Sequence, residues 1–359
     1  MSVTFAPPPR PGRRRPITLI GAGGIARDAH LPAYRLAGFV VAAVHDADPT
    51  RAAALARDFA IPRVHATVGE TVRHAPADTV YDVAVPAPAL SEVLTALPDG
   101  SPVLIQKPFG ESLAEACALR ALCRRKGLQA AVNFQLRSAP CIAAARQLLA
   151  GGVIGELHDL EVRVTVHMPW QLWPFLAQAP RLEILYHSIH YIDLLRSFLG
   201  DPQGIYAKTV KHPLTAHLAA TRTTMALDYG DLVRATVTCN HGHDFGPRHQ
   251  ESYVKWEGTR GAMKAGLGLL LNYPVGGGDD TLEYCTRPLE TAASPWQAVE
   301  LAGNWYPHAF IGPMSELMRF ANGEAGPPST HLDDAVRTMA VVEAAYQSSA
   351  TGATPIPSP

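Results

Sequence analysis

The sequence predicts an α/β fold in two parts: an N-terminal parallel sheet covered by helices, then an α+β domain with a large, mostly antiparallel sheet. Three observations predict it. Short apolar strands alternate with helical stretches from Pro16 to about Ala131, the pattern of a sheet buried on both faces. A glycine turn, Gly21 to Gly24, directly follows the first strand. Beyond Leu157 the strand-like segments lengthen and succeed one another with short connections, which favours antiparallel pairing.

In the first part, Ile17 to Ile20 and Phe39 to Val44 read as strands, and the glycine turn leads into a helix through Ala29 towards Leu36. The alanine-rich run Thr50 to Phe59 reads as a helix. Val80 to Val85 and Val103 to Ile105 are strands, with helices Pro88 to Leu97 and Leu113 to Lys126 after them. Gln129 to Phe134 is the last strand of this half. The second part starts with a helix, Cys141 to Leu149, then the alternating strand Leu157 to Val166 and a helix from Arg181 to Leu199. Strands follow at Gly204 to Val210, Thr221 to Asp228, Leu232 to Cys239 and Tyr253 to Glu257, and Leu332 to Ser349 is a closing helix. The expected domains are therefore 16–132 and 133–350, between disordered tails at 1–15 and 351–359. No internal repeat is evident.

Composition narrows the function classes. Of 359 residues, 47% are hydrophobic and 18% charged, which supplies sizeable cores and too little charge for disorder. A formal net charge of −1 gives no global field for nucleic acid or an anionic membrane, so neither is an expected partner. Arg10, Arg13, Arg14 and Arg15 form the one basic run, inside the proline-rich leader Pro7 to Pro16, which reads as a tail. No apolar run approaches the ~20 residues of a membrane helix. Cys117, Cys123, Cys141, Cys239 and Cys285 lack metal or disulfide spacing, which fits reduced thiols in a cytoplasmic protein.

Gly21-Ala22-Gly23-Gly24-Ile25-Ala26 fits G-x-G-x-x-G/A between a strand and a helix, the fingerprint of a Rossmann domain. Gly21 permits the tight turn, Gly23 lets the backbone approach a pyrophosphate, and Ala26 allows close helix packing. The helix N-terminus supplies oriented N–H groups. Asp46 stands 20 positions after Ala26 at the end of the second strand, where an acid accepts from the adenosine ribose. A carboxylate there repels a 2′-phosphate and favours NAD over NADP, although Arg51 lies nearby. Val103 to Ile105 then runs into Gln106-Lys107-Pro108, which puts a lysine at a strand end where open α/β sheets bind ligands.

With these segments the chain resembles the Gfo/Idh/MocA family, named for glucose–fructose oxidoreductase and inositol dehydrogenase. The glycine turn with His30-Leu31-Pro32, Asp46-Ala47-Asp48-Pro49 and Asn133-Phe134-Gln135-Leu136-Arg137 are similar to the family's pattern. So are Trp256-Glu257-Gly258-Thr259-Arg260-Gly261 and Val342-Glu343-Ala344-Ala345-Tyr346, in the family's order over residues 16–350. The resemblance implies that Lys107 reaches nicotinamide and substrate, and that Pro86, Gln106 and Asn133 join Gly21, Gly23, Gly24, Ile25, Ala26 and Asp46 at the cofactor. There are departures. Gln106 replaces the usual glutamate, which removes a negative charge beside Lys107, and Ser91 stands where a histidine is common.

The stretch Glu183 to Asp193 is the most informative of the second part. At about 100° per residue, Glu183, Tyr186, His187, His190 and Asp193 share an arc of about 120°, while Ile184, Leu185, Ile189, Ile192 and Leu195 take the other side. Three readings compete: a solvated face, a zinc site built on Glu183, His187 and His190 with His241, His243 or His249, and acid–base chemistry. No metal is expected, because no fourth ligand is evident. The family carries D-x-x-x-H-x-x-D on this helix. His190 and Asp193 match its last two members, and Tyr186 replaces the first aspartate.

The resemblance thus implies reversible hydride transfer between NAD and a secondary alcohol carbon of a sugar, polyol or inositol-like ligand. Lys107 would hold the reacting oxygen and His190 the proton, with Tyr186 or His187 assisting. Glu183, Asp193, Trp173 and His308 are further substrate contacts. Trp170, Trp305 and the run His241-Gly242-His243-Asp244 have softer claims. The alternatives are a glycosidase that keeps NAD and oxidises transiently, and a nucleotide-responsive regulator on the same scaffold. Homo-oligomerisation through the C-terminal sheet is expected from the resemblance.

Overall fold

The computed structural model describes residues 9–271, 278–287 and 296–357. The chain opens with β1 (Ile17–Ile20), a π-helical turn (Ala26–His30) and α1 (Leu31–Ala37), then β2 (Val41–His45) and α2 (Pro49–Phe59). Next come β3 (Val64–His65), α3 (Val68–His74), β4 (Val80–Val83) and α4 (Leu90–Ala96). β5 (Pro102–Ile105), α5 (Leu113–Arg125), β6 (Gln129–Val132) and α6 (Pro140–Ala150) follow. β7 (Leu157–Thr165), α7 (Ile189–Leu199), β8 (Gly204–Val210), β9 (Arg222–Asp228) and β10 (Arg234–Asn240) lead on to β11 (Glu251–Gly258) and β12 (Gly261–Gly266). β13 (Thr281–Thr286), β14 (Gln297–Ala298), α8 (Trp305–His308), α9 (Ile311–Ala321) and α10 (Leu332–Thr351) complete the described chain.

Contacts divide the described residues into two compact units, 9–143 with 302–339, and 144–301 with 340–357. The first unit holds a parallel sheet in the order β3-β2-β1-β4-β5-β6. β1 pairs with both β2 and β4, so the chain leaves the sheet in opposite directions on its two sides. Its strands are mostly apolar because both faces are covered, with Thr18 and Asp82 as buried polar exceptions. Ile17, Leu19, Val44, Val80 and Leu104 join one core with Phe310, Ile311, Met314, Leu317 and Met318. Helix α9 went unread in the sequence, and residues 302–339 were assigned to the second domain. Their apolar side chains pack on the first sheet instead.

The second unit holds an eight-stranded sheet, β14-β13-β12-β11-β7-β10-β9-β8. It is mostly antiparallel, with one parallel pair, β7 with β10. Alternation is regular: Leu160, Val162 and Val164 of β7, Ala235, Val237 and Cys239 of β10, and Val254 and Trp256 of β11 are all buried. Among the described residues no helix is long and apolar enough to cross a membrane, and all five cysteines are free thiols.

The leader corrects an expectation. Residues 1–8 and 358–359, parts of the expected tails, lie outside the described residues. Gly12 to Arg15, by contrast, are tied down. Gly12 N and Arg13 N donate to the Glu324 carboxylate, and the Arg13 guanidinium pairs with Asp78. Arg15 Nη2 donates to Ala321 O at 2.6 Å and Nε to Asn322 Oδ1 at 2.7 Å, so a cation meets the carbonyl end of α9. Arginines that read as tail composition are the partners of a helix end absent from the sequence reading. Arg15→Ala should therefore lower the free energy of urea unfolding by about 1–3 kcal/mol, whereas a disordered leader would give no change.

Candidate active site

The first unit builds a turn and a carboxylate. Gly21 has φ +109°, and a Cβ there would lie 2.3 Å from Ala84 O, so the crossing of the β1 end over β4 admits only glycine. Gly21 N donates to His45 O at 2.8 Å, which fastens the turn to β2. A Cβ at Gly23 would meet nothing within 4 Å, so this backbone faces open space. Gly24 is exposed, Ile25 half-buried and Ala26 fully buried, the last where α1 approaches the sheet. Asp46, at the end of β2, accepts from Ala22 N at 2.6 Å and from Asp48 N at 2.8 Å. The acid is thus anchored to the glycine turn itself. These residues fit a dinucleotide: a turn open to space at Gly23, leading into a helix N-terminus, and a fixed carboxylate beside it.

Lys107 follows β5 at the carboxyl end of the sheet. The residue keeps some exposed surface, while desolvation of its ammonium pushes the pKa down to about 8. Gln106 before it is buried, and its Oε1 accepts from Asn133 Nδ2 at 3.1 Å. Pro86 is exposed just beyond β4. His308 is half-buried in α8 and lies in this unit, its ring close over Gly303. Burial lowers its pKa. Trp305 is half-buried beside Tyr306.

In the second unit, the helix bearing the histidines departs from the expected periodicity. A π-helical turn, Ile184–Ser188, precedes α7 and shifts the phase of the residues before it against those after it. The predicted open arc is therefore broken. Glu183 and Asp193 are 1% exposed and Tyr186 is 8% exposed, while His187 and His190 stay half-buried. The Ser188 hydroxyl donates to Glu183 Oε1 at 2.6 Å, and His241 Nδ1 stands 3.6 Å from that same oxygen. Burial pushes the Glu183 carboxyl up to about 7 and the His241 imidazole down to about 4, so His241 is neutral and Glu183 titrates near neutral pH.

His187 meets two aromatic neighbours: the His241 ring at 4.5 Å and the Trp170 ring, edge-on, at 5.3 Å. Tyr186 packs edge-to-face on Phe175 at 5.9 Å, and Trp173 is half-buried in the preceding turn. The structure thus brings Glu183, His187, His241 and Trp170 into one cluster. His243 and His249 are not in it: His243 Nε2 lies 3.1 Å from Arg248 O, and His249 is exposed with φ +66°.

Among the described residues, Glu183, His187 and His190 do not bring their ligand atoms within 4.8 Å of one another. Among the described residues, one ring nitrogen each of His65 and His74 and an oxygen of Glu70 come within 4.8 Å of one another. The two rings stack with planes 11° apart, so a single ion cannot lie in both planes unless one ring turns.

Residues the sequence reading missed include Asp82, a fully buried carboxylate inside an apolar strand, with its partners His30 and Tyr34. A charge within such a strand and the i, i+4 spacing of His30 and Tyr34 were the available signals. Ser188 and the central place of His241 were also missed.

Comparison with known proteins gives a family match over most of the chain. A model described as oxidoreductase family, NAD-binding Rossmann fold, matches residues 16–134, and the GFO/IDH/MocA C-terminal domain matches 142–264. D-apiose dehydrogenase of Paraburkholderia graminis is 29% identical over 344 residues, covering 94% of this chain and 88% of its own. 1,5-Anhydro-D-fructose reductase of Ensifer adhaerens is 26% identical, covering 93% of this chain and 96% of its own. Among solved structures, an Agrobacterium radiobacter oxidoreductase in complex with NAD+, L-tartaric acid and magnesium superposes with TM-score 0.77 at 24% identity, covering 95% of this chain and 98% of its own. Levoglucosan dehydrogenase in complex with NADH and levoglucosan gives TM-score 0.77 at 18% identity, covering 94% and 98%. These two likenesses establish the shared fold.

Two outcomes test this geometry. Gly21→Ala should abolish nucleotide uptake in calorimetry and lower stability, since its Cβ would collide with Ala84 O in a backbone conformation alanine rarely adopts; uptake at the native affinity would contradict it. Glu183→Gln should raise the melting temperature at pH 8 and lose that advantage as pH falls towards 4.5. The sign follows from a folded pKa above the ordinary one: the folded chain binds the extra proton, so the wild type loses stability as pH rises through about 4.5 to 7.

Proposed function

The chain belongs to the Gfo/Idh/MocA oxidoreductase family, and on that premise we propose that it is an NAD-dependent dehydrogenase of a sugar, polyol or inositol-like substrate. The observation that carries this reading is Lys107: a desolvated amine at the carboxyl end of β5, in the unit that also holds the glycine turn and Asp46. A nicotinamide cofactor, when bound, would supply the hydride chemistry. The helix N-terminus beyond Gly23 would hold its diphosphate, because Gly21 N and Ala22 N already donate to His45 O and Asp46, and Asp46 would accept from the adenosine ribose. Asp46 also disfavours a 2′-phosphate, and Arg51, the nearby cation, pairs with Asp48 at 3.3 Å, which supports NAD as the preferred nucleotide.

Lys107 in its ammonium form holds the alcohol or carbonyl oxygen and stabilises the charge that develops on it. His190 takes the proton on oxidation and returns it on reduction, with His187 and Tyr186 assisting. Glu183 supports the helix from within rather than touching substrate, because Ser188 and His241 enclose its oxygen. Trp173 and His308 offer partly exposed rings for the apolar face of a sugar.

The test is a panel of sugars and polyols with NAD and NADP, read as absorbance of the reduced cofactor. Turnover with NAD is expected, and Lys107→Ala and His190→Ala should each lower kcat by about 10²–10⁴-fold. Because the ammonium is the working form, kcat/KM should fall as pH rises above about 8. No reduction with any of the panel, or full activity of Lys107→Ala, would contradict the proposal.

A further inference from the structure

A buried polar chain runs up to the residue before Lys107, and no step so far uses it. Asp82 lies in the middle of β4 and is fully buried. An isolated carboxylate there would be costly, and two donors compensate it. Tyr34 Oη donates to Asp82 Oδ2 at 2.7 Å, and His30 Nδ1 stands 2.7 Å from that same oxygen. With Nδ1–H donating to the carboxylate, His30 Nε2 carries a lone pair and accepts from Asn133 Nδ2 at 3.2 Å. The second N–H of that amide donates to Gln106 Oε1 at 3.1 Å. One assignment of hydrogens satisfies all four bonds: Asn133 donates one N–H to His30 and the other to Gln106, while His30 and Tyr34 both donate to Asp82 Oδ2.

The chain also spans the sheet. Its members come from the first helix, β4, the residue after β5 and the residue after β6, and backbone bonds tie the same ends: Gln106 N to Val83 O and Asn133 N to Ile105 O. His30 ends a π-helical turn and packs against the Phe310 ring at 5.2 Å, which leaves its imidazole little freedom. Gln106 suits the terminal place because its carbonyl accepts from Asn133 without bringing a second buried charge.

We propose that Tyr34, Asp82, His30 and Asn133 act as positioning residues, fixing the Gln106 carboxamide and hence the strand end that presents Lys107. The inference rests on the reading of Lys107 as the group that holds the reacting oxygen. A misplacement of about 1 Å at such a group can cost about 10²-fold in rate, so the far members of the chain bear on turnover without touching substrate.

The experiment compares kcat, substrate KM and NAD affinity of the full-length protein with His30→Phe, Tyr34→Phe and Thr18→Val. Thr18 supplies the control, since its hydroxyl makes an equally buried bond, to Thr79 Oγ1 at 3.0 Å, outside the chain. His30→Phe should lower kcat by about 10²-fold and Tyr34→Phe by several-fold, with NAD affinity within twofold of the wild type. Thr18→Val should lose stability and keep kcat. If His30→Phe does not fold, Tyr34→Phe, which removes a single hydroxyl, decides. The proposal is overturned if kcat of Tyr34→Phe or of folded His30→Phe equals that of Thr18→Val. A Lys107→Ala variant with full turnover would instead overturn the reading of the lysine.

Discussion

The first unit depends on a close crossing of backbone at the carboxyl end of β1. There the strand order reverses between β2 and β4, and the Gly21 turn passes over Ala84 with no room for a side chain. This contact fixes where the chain leaves the sheet, and so where α1 begins and which N–H groups face outward. Asp46 bonds the same turn, and β4 and β5 continue the edge to Lys107. A nucleotide site at this point is a consequence of topology, because open α/β sheets bind ligands where the strand order reverses.

Both units bury carboxyl groups, and each does so with partners chosen for neutrality or for hydrogen bonds. Asp82 keeps two donors at 2.7 Å in the first unit. Glu183 has a hydroxyl at 2.6 Å in the second, and burial pushes its pKa up to about 7, so its charge changes near neutral pH. Such groups cost more than an apolar core would. Asp82 connects to Gln106 through His30 and Asn133, and Glu183 connects to His187 through His241.

The strands and the cofactor turn were legible in the sequence because they depend on local features. Apolar runs of four to six residues with glycine between them mark a parallel sheet, and β8 and β9 were read almost to their ends from alternation alone. What was not legible depends on distant partners or on a break in periodicity. Arg15 looks like tail composition until its partners at the end of α9 are known, three hundred residues away. Helix α9 carries Ile311, Met314, Leu317 and Met318 at helical spacing and so was readable as a helix, but its packing on β5 and β6, far back in the chain, was not. The π turn at Ile184–Ser188 leaves no sequence mark, and the face read as open holds a buried Glu183 and Asp193 beside two half-buried histidines. The parallel pairing of β7 with β10 was likewise hidden, since alternation does not report strand direction.

The most direct measurement follows a label. A substrate that gives turnover is prepared with deuterium on the reacting carbon and incubated with NAD, and the reduced cofactor is weighed by mass spectrometry. Direct hydride transfer predicts one deuterium in each reduced nicotinamide. Deuterium appearing in the solvent, with an unlabelled cofactor, would contradict the account.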